Sequence, residues 1–426
     1  MIRFLSINDP YRLLVVLLLM AGLGFFAHSR LPDTTIPEIR GMITGEMMEE
    51  GKLLYVRVLD STPPVTALIN RFMVDVAGRS IGIRHFITVA VFFLQAVIFG
   101  LLLINNRAFE QQTYLPPFLY GTLLFFSLDS IAFTREVWAS LFLVLAIDRV
   151  FRQLQFRAQL DPNLHLLGVL VGLSSLCVFS YAVFFPGILL ILAVTTRLDL
   201  RQVLLLTTGF LVPHLVLMIS YALLNRFPEL WSTFYATGLE FNTRTFMEFG
   251  SLFRLTIIPL VFLVLALLLS ARNTRFTRYQ WQIFNVMIIW LVFGLIEVWL
   301  TRNRTAQSLV VCLPPVAYFM TIYLLRIRRR WLAELMFWFF TVGIIAVSTL
   351  AMQNKVPGID YSLMFAGNND ARLNDRKVLV LSPDLAVYRN NKAAGFFPEW
   401  AITEDIFSSP GFYENVVTIY LSLIHI

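Results

Sequence analysis

Apolar runs of near-membrane length, punctuated by arginine-bearing turns, recur through residues 1–352 of this chain. They cover residues 11–28, 86–104, 115–127 and 137–151, then 164–180, 182–196, 203–224 and 255–271, and last 283–300, 308–325 and 332–352. Hydrocarbon offers no water to a peptide group, so a crossing segment must satisfy its own N–H and C=O, which a helix does internally. A perpendicular crossing takes ~20 residues, and several runs are shorter, so their ends are soft. Charged residues make up 14% of the chain and hydrophobic ones 58%, with a mean hydropathy of +0.72. An ordinary soluble domain carries ~25% charged residues, so that class is excluded.

The formal net charge of +7 comes from arginines at helix ends and not from a patch, so it reports topology and not nucleic acid. With the N-terminus inside, inner turns hold Arg3 and Arg12, Arg107, then Arg149, Arg152 and Arg157. Arg197 and Arg201 follow, then Arg272, Arg275 and Arg278, and finally Arg326 and Arg328 to Arg330. The basic turns all fall inside only if 164–196 crosses twice. The expected fold class is therefore an all-α polytopic integral membrane protein of about eleven transmembrane helices, with the C-terminal tail outside. The polar stretches 29–85, 128–136, 225–254 and 301–307 then face outward. A cleavable leader is the rival reading of 11–28, given Ala27-His28-Ser29, but the apolar run is long for one. Cys177 and Cys312 sit inside apolar runs and read as core residues.

After residue 352 the composition changes. Arg376-Lys-Val-Leu-Val-Leu381 before Ser-Pro-Asp reads as a short buried strand and turn, the start of a small α/β lobe over 353–420. The last six residues, 421–426, match the translation of a transposon-end sequencing adapter and are set aside as a processing scar. The expectation is that the natural chain continues past Tyr420 and that the lobe is incomplete.

The long polar interval 29–85 carries Glu38, then Gly51-x-x-Leu54-Tyr55, Asp60-x-x-Pro63-Pro64, Gly78-Arg79-Ser80 and Arg84. Carboxylates are costly in lipid and free to do chemistry outside it, so the interval reads as a site. Its spacing resembles the first extracytoplasmic loop of GT-C type membrane glycosyltransferases, the mannosyl- and aminoarabinosyl-transferase-like group using polyprenyl-phosphate sugars. That loop commonly runs acidic residue, helix, G-x-x-L-Y-x-D-x-x-D-x-x-P-P-L, then G-x-S. A weaker likeness continues through Gly168-x-x-x-Gly172-Leu173, Pro186, Gly209, Tyr221 and 231–249.

The resemblance implies an enzyme of the bacterial cytoplasmic (inner) membrane. It would pass a sugar from a polyprenyl-phosphate carrier to an extracytoplasmic acceptor of the cell envelope, with no cofactor or metal. Matched by position, Glu38 takes the place of the glutamate in the family's acidic pair and Asp60 that of the second aspartate in D-x-x-D. These two are the implied catalytic acids, one of which would deprotonate the acceptor hydroxyl. Pro37 replaces the partner aspartate and Arg57 the first aspartate of D-x-x-D, two departures from the pattern. Tyr55, Arg57, Asp129, Arg135 and Glu136 are the implied contacts to substrate and lipid phosphate.

The residues also have readings of their own. Glu38 and Glu49 share one helix face and Glu46 and Glu50 another, which equally suits a helix lying on the membrane with Met42, Met47 and Met48 dipping in. Asp60 before Pro-Pro equally suits a cap for a helix over 63–76. Asp129, Arg135 and Glu136 either flank a pocket or mark helix ends. Glu297, beside Trp299 near the outer end of its span, is a buried-acid candidate that pairs with Arg302 or Arg304 or snorkels to the interface. Arg302 and Arg304 suit a lipid phosphate, since a guanidinium donates to phosphate oxygens in pairs. His28, His85, His165 and His214 show no metal-ligand spacing, and phosphate-loop, nucleophile-elbow and kinase signatures are missing. Beside the transferase stand two other classes. One is a non-catalytic subunit or scaffold of an envelope-assembly or secretion complex, which the Pro37 and Arg57 departures favour. The other is a transporter, whose expected paired halves are not evident.

Overall fold

The computed structural model describes residues 1–366, 377–378 and 385–393, except 8, 33, 59, 157–160, 197, 240–243, 274–275 and 302. The main helices run α1 Arg12–Arg30, α2 Ile36–Glu49, α3 Pro64–Ala77, α4 Ile81–Asn105 and α5 Leu115–Leu123. Then come α6 Arg135–Phe156, α7 Asp161–Cys177, α8 Phe184–Thr195 and α9 Leu200–Leu223. The last are α10 Phe249–Leu255, α11 Ile257–Asn273, α12 Arg278–Leu300, α13 Leu313–Arg326 and α14 Arg330–Met352. Two short parallel pairs join β1 Arg244–Thr245 to β2 Asn303–Arg304, and β3 Lys377–Val378 to β4 Lys392–Ala393.

These elements gather into two compact units. The first comprises Met1–Pro32, Ile81–Ser220 and Phe241–Met364. Six helices among the described residues are long and apolar enough to cross a membrane: α1, α4, α9, α12, Ala306–Arg326 and α14. The pair α10 and α11, bent by 69°, makes a seventh if it counts as one span. The chain is a multi-pass membrane protein. Of the other expected crossings, α5 has 9 residues, while α6 has the length but carries Arg135, Glu136, Asp148, Arg149 and Arg152. The run 164–196 breaks where α7 ends at Cys177, and a 3-10 turn over Phe179–Val183 leads into α8.

Helices in lipid gain little from hydrophobicity and associate through close backbone approach at small residues. Gly168 of α7 and Gly209 of α9 supply it. A Cβ on Gly168 would strike the backbone of Leu206 and Phe210, and one on Gly209 the His165 carbonyl. His214 ties the same two helices through its Nε2, 2.9 Å from the Ser175 hydroxyl. Cys177 and Cys312 are buried and form no disulfide among the described residues.

The second unit comprises Asp33–Ser80, Tyr221–Glu240 and Phe365–Ile426. Its frame is α2 against α3, packed so closely that a Cβ on Gly45 would meet the Asn70 carbonyl. Ile39, Met42, Ile43 and Met47 are buried, so Met42 and Met47 dip into protein rather than into a membrane surface, while Met48 is half-buried. The N-cap of α3 is Pro63 with no side-chain cap, because Asp60 is occupied elsewhere. Thr35 pairs with Phe365 in an isolated antiparallel bridge. Of the strand expected over 376–381, Lys377 and Val378 are in β3, and its other residues, with all of 394–426, lie outside the described residues.

Candidate functional site

Thr35-x-x-Glu38 opens α2 as a reciprocal capping box. The Thr35 side chain accepts from Glu38 N–H at 3.4 Å, and Glu38 Oε2 accepts from Thr35 N–H at 3.1 Å and its hydroxyl at 2.9 Å. Glu38 is therefore 3% exposed and bound to the helix start it belongs to. Two residues on, Arg40 reaches Asp60. Its Nε donates to Asp60 Oδ1 at 2.8 Å and its Nη2 donates to the same oxygen and to Ser61 Oγ. The Thr44 hydroxyl lies 3.0 Å from Oδ2, and the Thr62 hydroxyl donates to that oxygen too.

Asp60 is fully buried. Burial alone would push its carboxyl up, but the Arg40 charge and the hydrogen bonds from Arg40, Thr62 and Thr44 outweigh that and hold it below the usual carboxylate range. It is an ionised acid with both oxygens occupied.

Tyr55 stands in the left-handed region at φ 66, an uncommon backbone for a bulky residue. Several contacts hold it there. Its N–H donates to Val58 C=O at 2.9 Å and its hydroxyl to Thr62 C=O at 2.8 Å. Its ring meets Tyr221 at 5.9 Å and Phe234 at 6.2 Å, and the Tyr221 hydroxyl donates to Leu54 C=O. Burial, with Tyr221 and Asp60 adding, keeps the Tyr55 phenol well above its ordinary pKa, so it acts as a neutral donor. Arg57, two residues on, is exposed. Below the loop, Arg79 grips Glu46 at 2.6 and 2.7 Å and donates to the carbonyls of Tyr388, Arg389 and Asn391.

The other sequence candidates belong to the first unit. Asp129 is fully buried in a 3-10 turn over Leu128–Ile131 and accepts from Ser127, whose oxygen lies 2.8 Å from the Tyr361 hydroxyl. Gln307 shapes this turn, its amide nitrogen 3.0 Å from the carbonyls of Asp129, Ser130 and Ala132 and its oxygen accepting from Thr134. Arg135 Nε donates to its neighbour Glu136 at 2.9 Å. Glu297 is fully buried, and its partner is the Ser180 hydroxyl at 2.7 Å rather than Arg304. Its second oxygen and the Tyr181 hydroxyl find no hydrogen-bond partner among the described residues. Arg304, 4% exposed, lies 3.5 Å over the Phe249 ring and donates to Val298 C=O. Arg302 lies outside the described residues. No cluster of three metal-ligating side chains occurs among the described residues.

Sequence reasoning missed Arg40, Gln307 and Tyr361, and although it named Tyr221 and the stretch 231–249 it did not bring them to Tyr55. Arg40 had a signal, being the only base in α2 among four acids at 38, 46, 49 and the C-cap Glu50. The fold is GT-C-like, similar to that of two solved structures of ArnT. ArnT from Cupriavidus metallidurans, solved bound to undecaprenyl phosphate, matches with TM-score 0.57 at 11% identity, over 90% of this chain and 86% of that one. Its apo state matches with TM-score 0.55 at 12% identity over 89% and 84%. At such identity the likeness is one of fold. No protein-family model and no curated relative matches the sequence.

Proposed function

We propose that the chain is a membrane glycosyltransferase moving a sugar from a polyprenyl-phosphate donor to an extracytoplasmic acceptor of a bacterial envelope. What supports this most is the fold shared over 90% of the chain with ArnT, a protein solved with undecaprenyl phosphate bound. On this reading the chain crosses the cytoplasmic membrane about eleven times with its N-terminus inside, leaving the loop 29–85 and the lobe after 352 outside. The acceptor oxygen attacks the anomeric carbon, its proton passes to a carboxylate, and the bond from that carbon to the phosphate oxygen breaks. Glu38 or Asp60 takes the proton. For Asp60 this requires Thr44 or Thr62 to give up its hydrogen bond first. The resemblance offers Tyr55 and Arg57 of the second unit, and Asp129, Arg135, Glu136, Glu297, Arg302 and Arg304 elsewhere in the chain, as candidate contacts to substrate and lipid phosphate.

The full engagement of Asp60 and the capping task of Glu38 favour a second reading, a non-catalytic subunit that scaffolds envelope assembly. The test is release of polyprenyl phosphate by the full-length protein reconstituted with polyprenyl-phosphate sugars. It is paired with glycan profiles of a deletion strain restored with wild type, Glu38→Ala or Asp60→Ala. Loss of one sugar in the deletion, restored by wild type but not by inserted, folded point variants, supports transfer. Restoration by both variants supports the scaffold.

A further inference from the structure

At the end of the first unit where the arginine-bearing turns lie, the α4–α5 connection, the turn before α12 and the end of α13 line a half-open cavity of about 100 Å³. That is more than the ~30 Å³ share of one water. Arg326 lines it, 4.7 Å over the Phe276 ring, and its Nη1 is buried with no hydrogen-bond partner among the described residues. A buried guanidinium N–H without an acceptor is costly, so the cavity has a place for an anionic oxygen. Glu110 lines the same cavity and acts on Arg326 through its charge, with no hydrogen bond between the two among the described residues. Gln280 gives its amide oxygen to Thr277 N–H and keeps its NH2 for an occupant. Phe109 and Leu325 complete an apolar wall. A cation with one buried N–H left over, an acid at the cavity's exposed rim and an apolar wall at a helix end suit a group that carries phosphate and ammonium together on an apolar tail.

We propose that this cavity binds the headgroup of a zwitterionic phospholipid with a primary amine, its phosphate on Arg326 and its ammonium on Glu110. The site is separate from the sugar-transfer reading and does not rest on it. The exposed Arg328, Arg329 and Arg330 that follow would draw any anionic lipid to the surface, whereas the cavity sets the preference.

The test is native mass spectrometry of the full chain in detergent with phosphatidylethanolamine, phosphatidylglycerol or phosphatidylcholine added in turn. Wild type is expected to retain one phosphatidylethanolamine in preference to the other two. Arg326→Gln should weaken that retention at least about tenfold, the loss of a charged hydrogen bond. Glu110→Gln should abolish the preference over phosphatidylglycerol. The proposal is overturned if wild type retains all three lipids alike, or if Arg326→Gln retains phosphatidylethanolamine as wild type does. Displacement of the lipid by millimolar inorganic phosphate would assign the cavity to the free ion and overturn it as well. Should Arg326→Gln fail to insert, Glu110→Gln at an exposed residue decides alone.

Discussion

Replacing Arg40 by methionine takes away the cation beside Asp60 while leaving the helix and the aliphatic packing. The Asp60 carboxylate stays fully buried with the Thr44 and Thr62 hydroxyls. Breaking a fully enclosed ion pair by removing one partner costs about 3–5 kcal/mol. The Arg40 side chain is 17% exposed and two hydroxyl contacts survive, so about 2–3 kcal/mol is expected here. Amide hydrogen exchange in α2 reads this locally, and the protection should fall roughly 30–150-fold near neutral pH.

The pH dependence makes the reasoning sharper. In wild type the folded carboxyl sits below its unfolded value, so the unfolded chain binds more protons as pH falls. The contribution is present above the unfolded value of ~3.9 and disappears only as pH drops through the folded one. Without Arg40, burial is left to raise the carboxyl above its unfolded value. The penalty is then largest at about pH 7.5 and shrinks on acidification as the acid takes up its proton, by about 1.4 kcal/mol per unit of pKa difference. Wild-type exchange in Arg40→Met at neutral pH, or a penalty as large at about pH 5 as at about pH 7.5, would refute this account.

Three further outcomes are expected. Gly209→Ala drives a methyl into the His165 carbonyl and should cost about 1–3 kcal/mol, seen as earlier thermal unfolding in detergent. Arg79→Ala should expose the 388–391 segment to protease while α2 amides keep most of their protection; an unchanged cleavage rate would count against the clamp. Glu297→Gln keeps a Ser180 contact and replaces a buried carboxyl whose second oxygen has no hydrogen-bond partner among the described residues, so stability should change by no more than about 1 kcal/mol, read as thermal unfolding in detergent.

What could be read from sequence follows the range of the forces concerned. The apolar runs report lipid solubility residue by residue, which is why every one of the expected segments contains helix. The capping box was also legible in Thr35-x-x-Glu38, since its partners are three residues apart. Reading Glu38 for its chemistry alone passed over that local use. Asp60 beside Pro63-Pro64 looked like a cap, and only the fold of α2 onto α3 brings it Arg40 from twenty residues back. Gln307 meets the carbonyls of 129–132 across more than 170 positions, and nothing in the pattern of either segment marks that meeting. Glu297 stands out in the sequence as a buried-acid candidate that either pairs with an arginine or snorkels, and its actual partner Ser180 is a small hydroxyl with no sequence signature.

The Arg79 clamp carries a consequence for the order in which the protein is made. Arg79 leaves the ribosome with Glu46 already synthesised, but the carbonyls of Tyr388, Arg389 and Asn391 come 309 to 312 residues later. At ~5–20 residues per second, roughly 15–60 s pass before that half of the clamp exists. Through that interval the α2–α3 pair must stand on its own contacts, with three backbone acceptors still to come. The closing of Arg79 on residues 388–391 is thus a late event of biogenesis, one that reports that translation has passed the membrane segment Arg330–Met352.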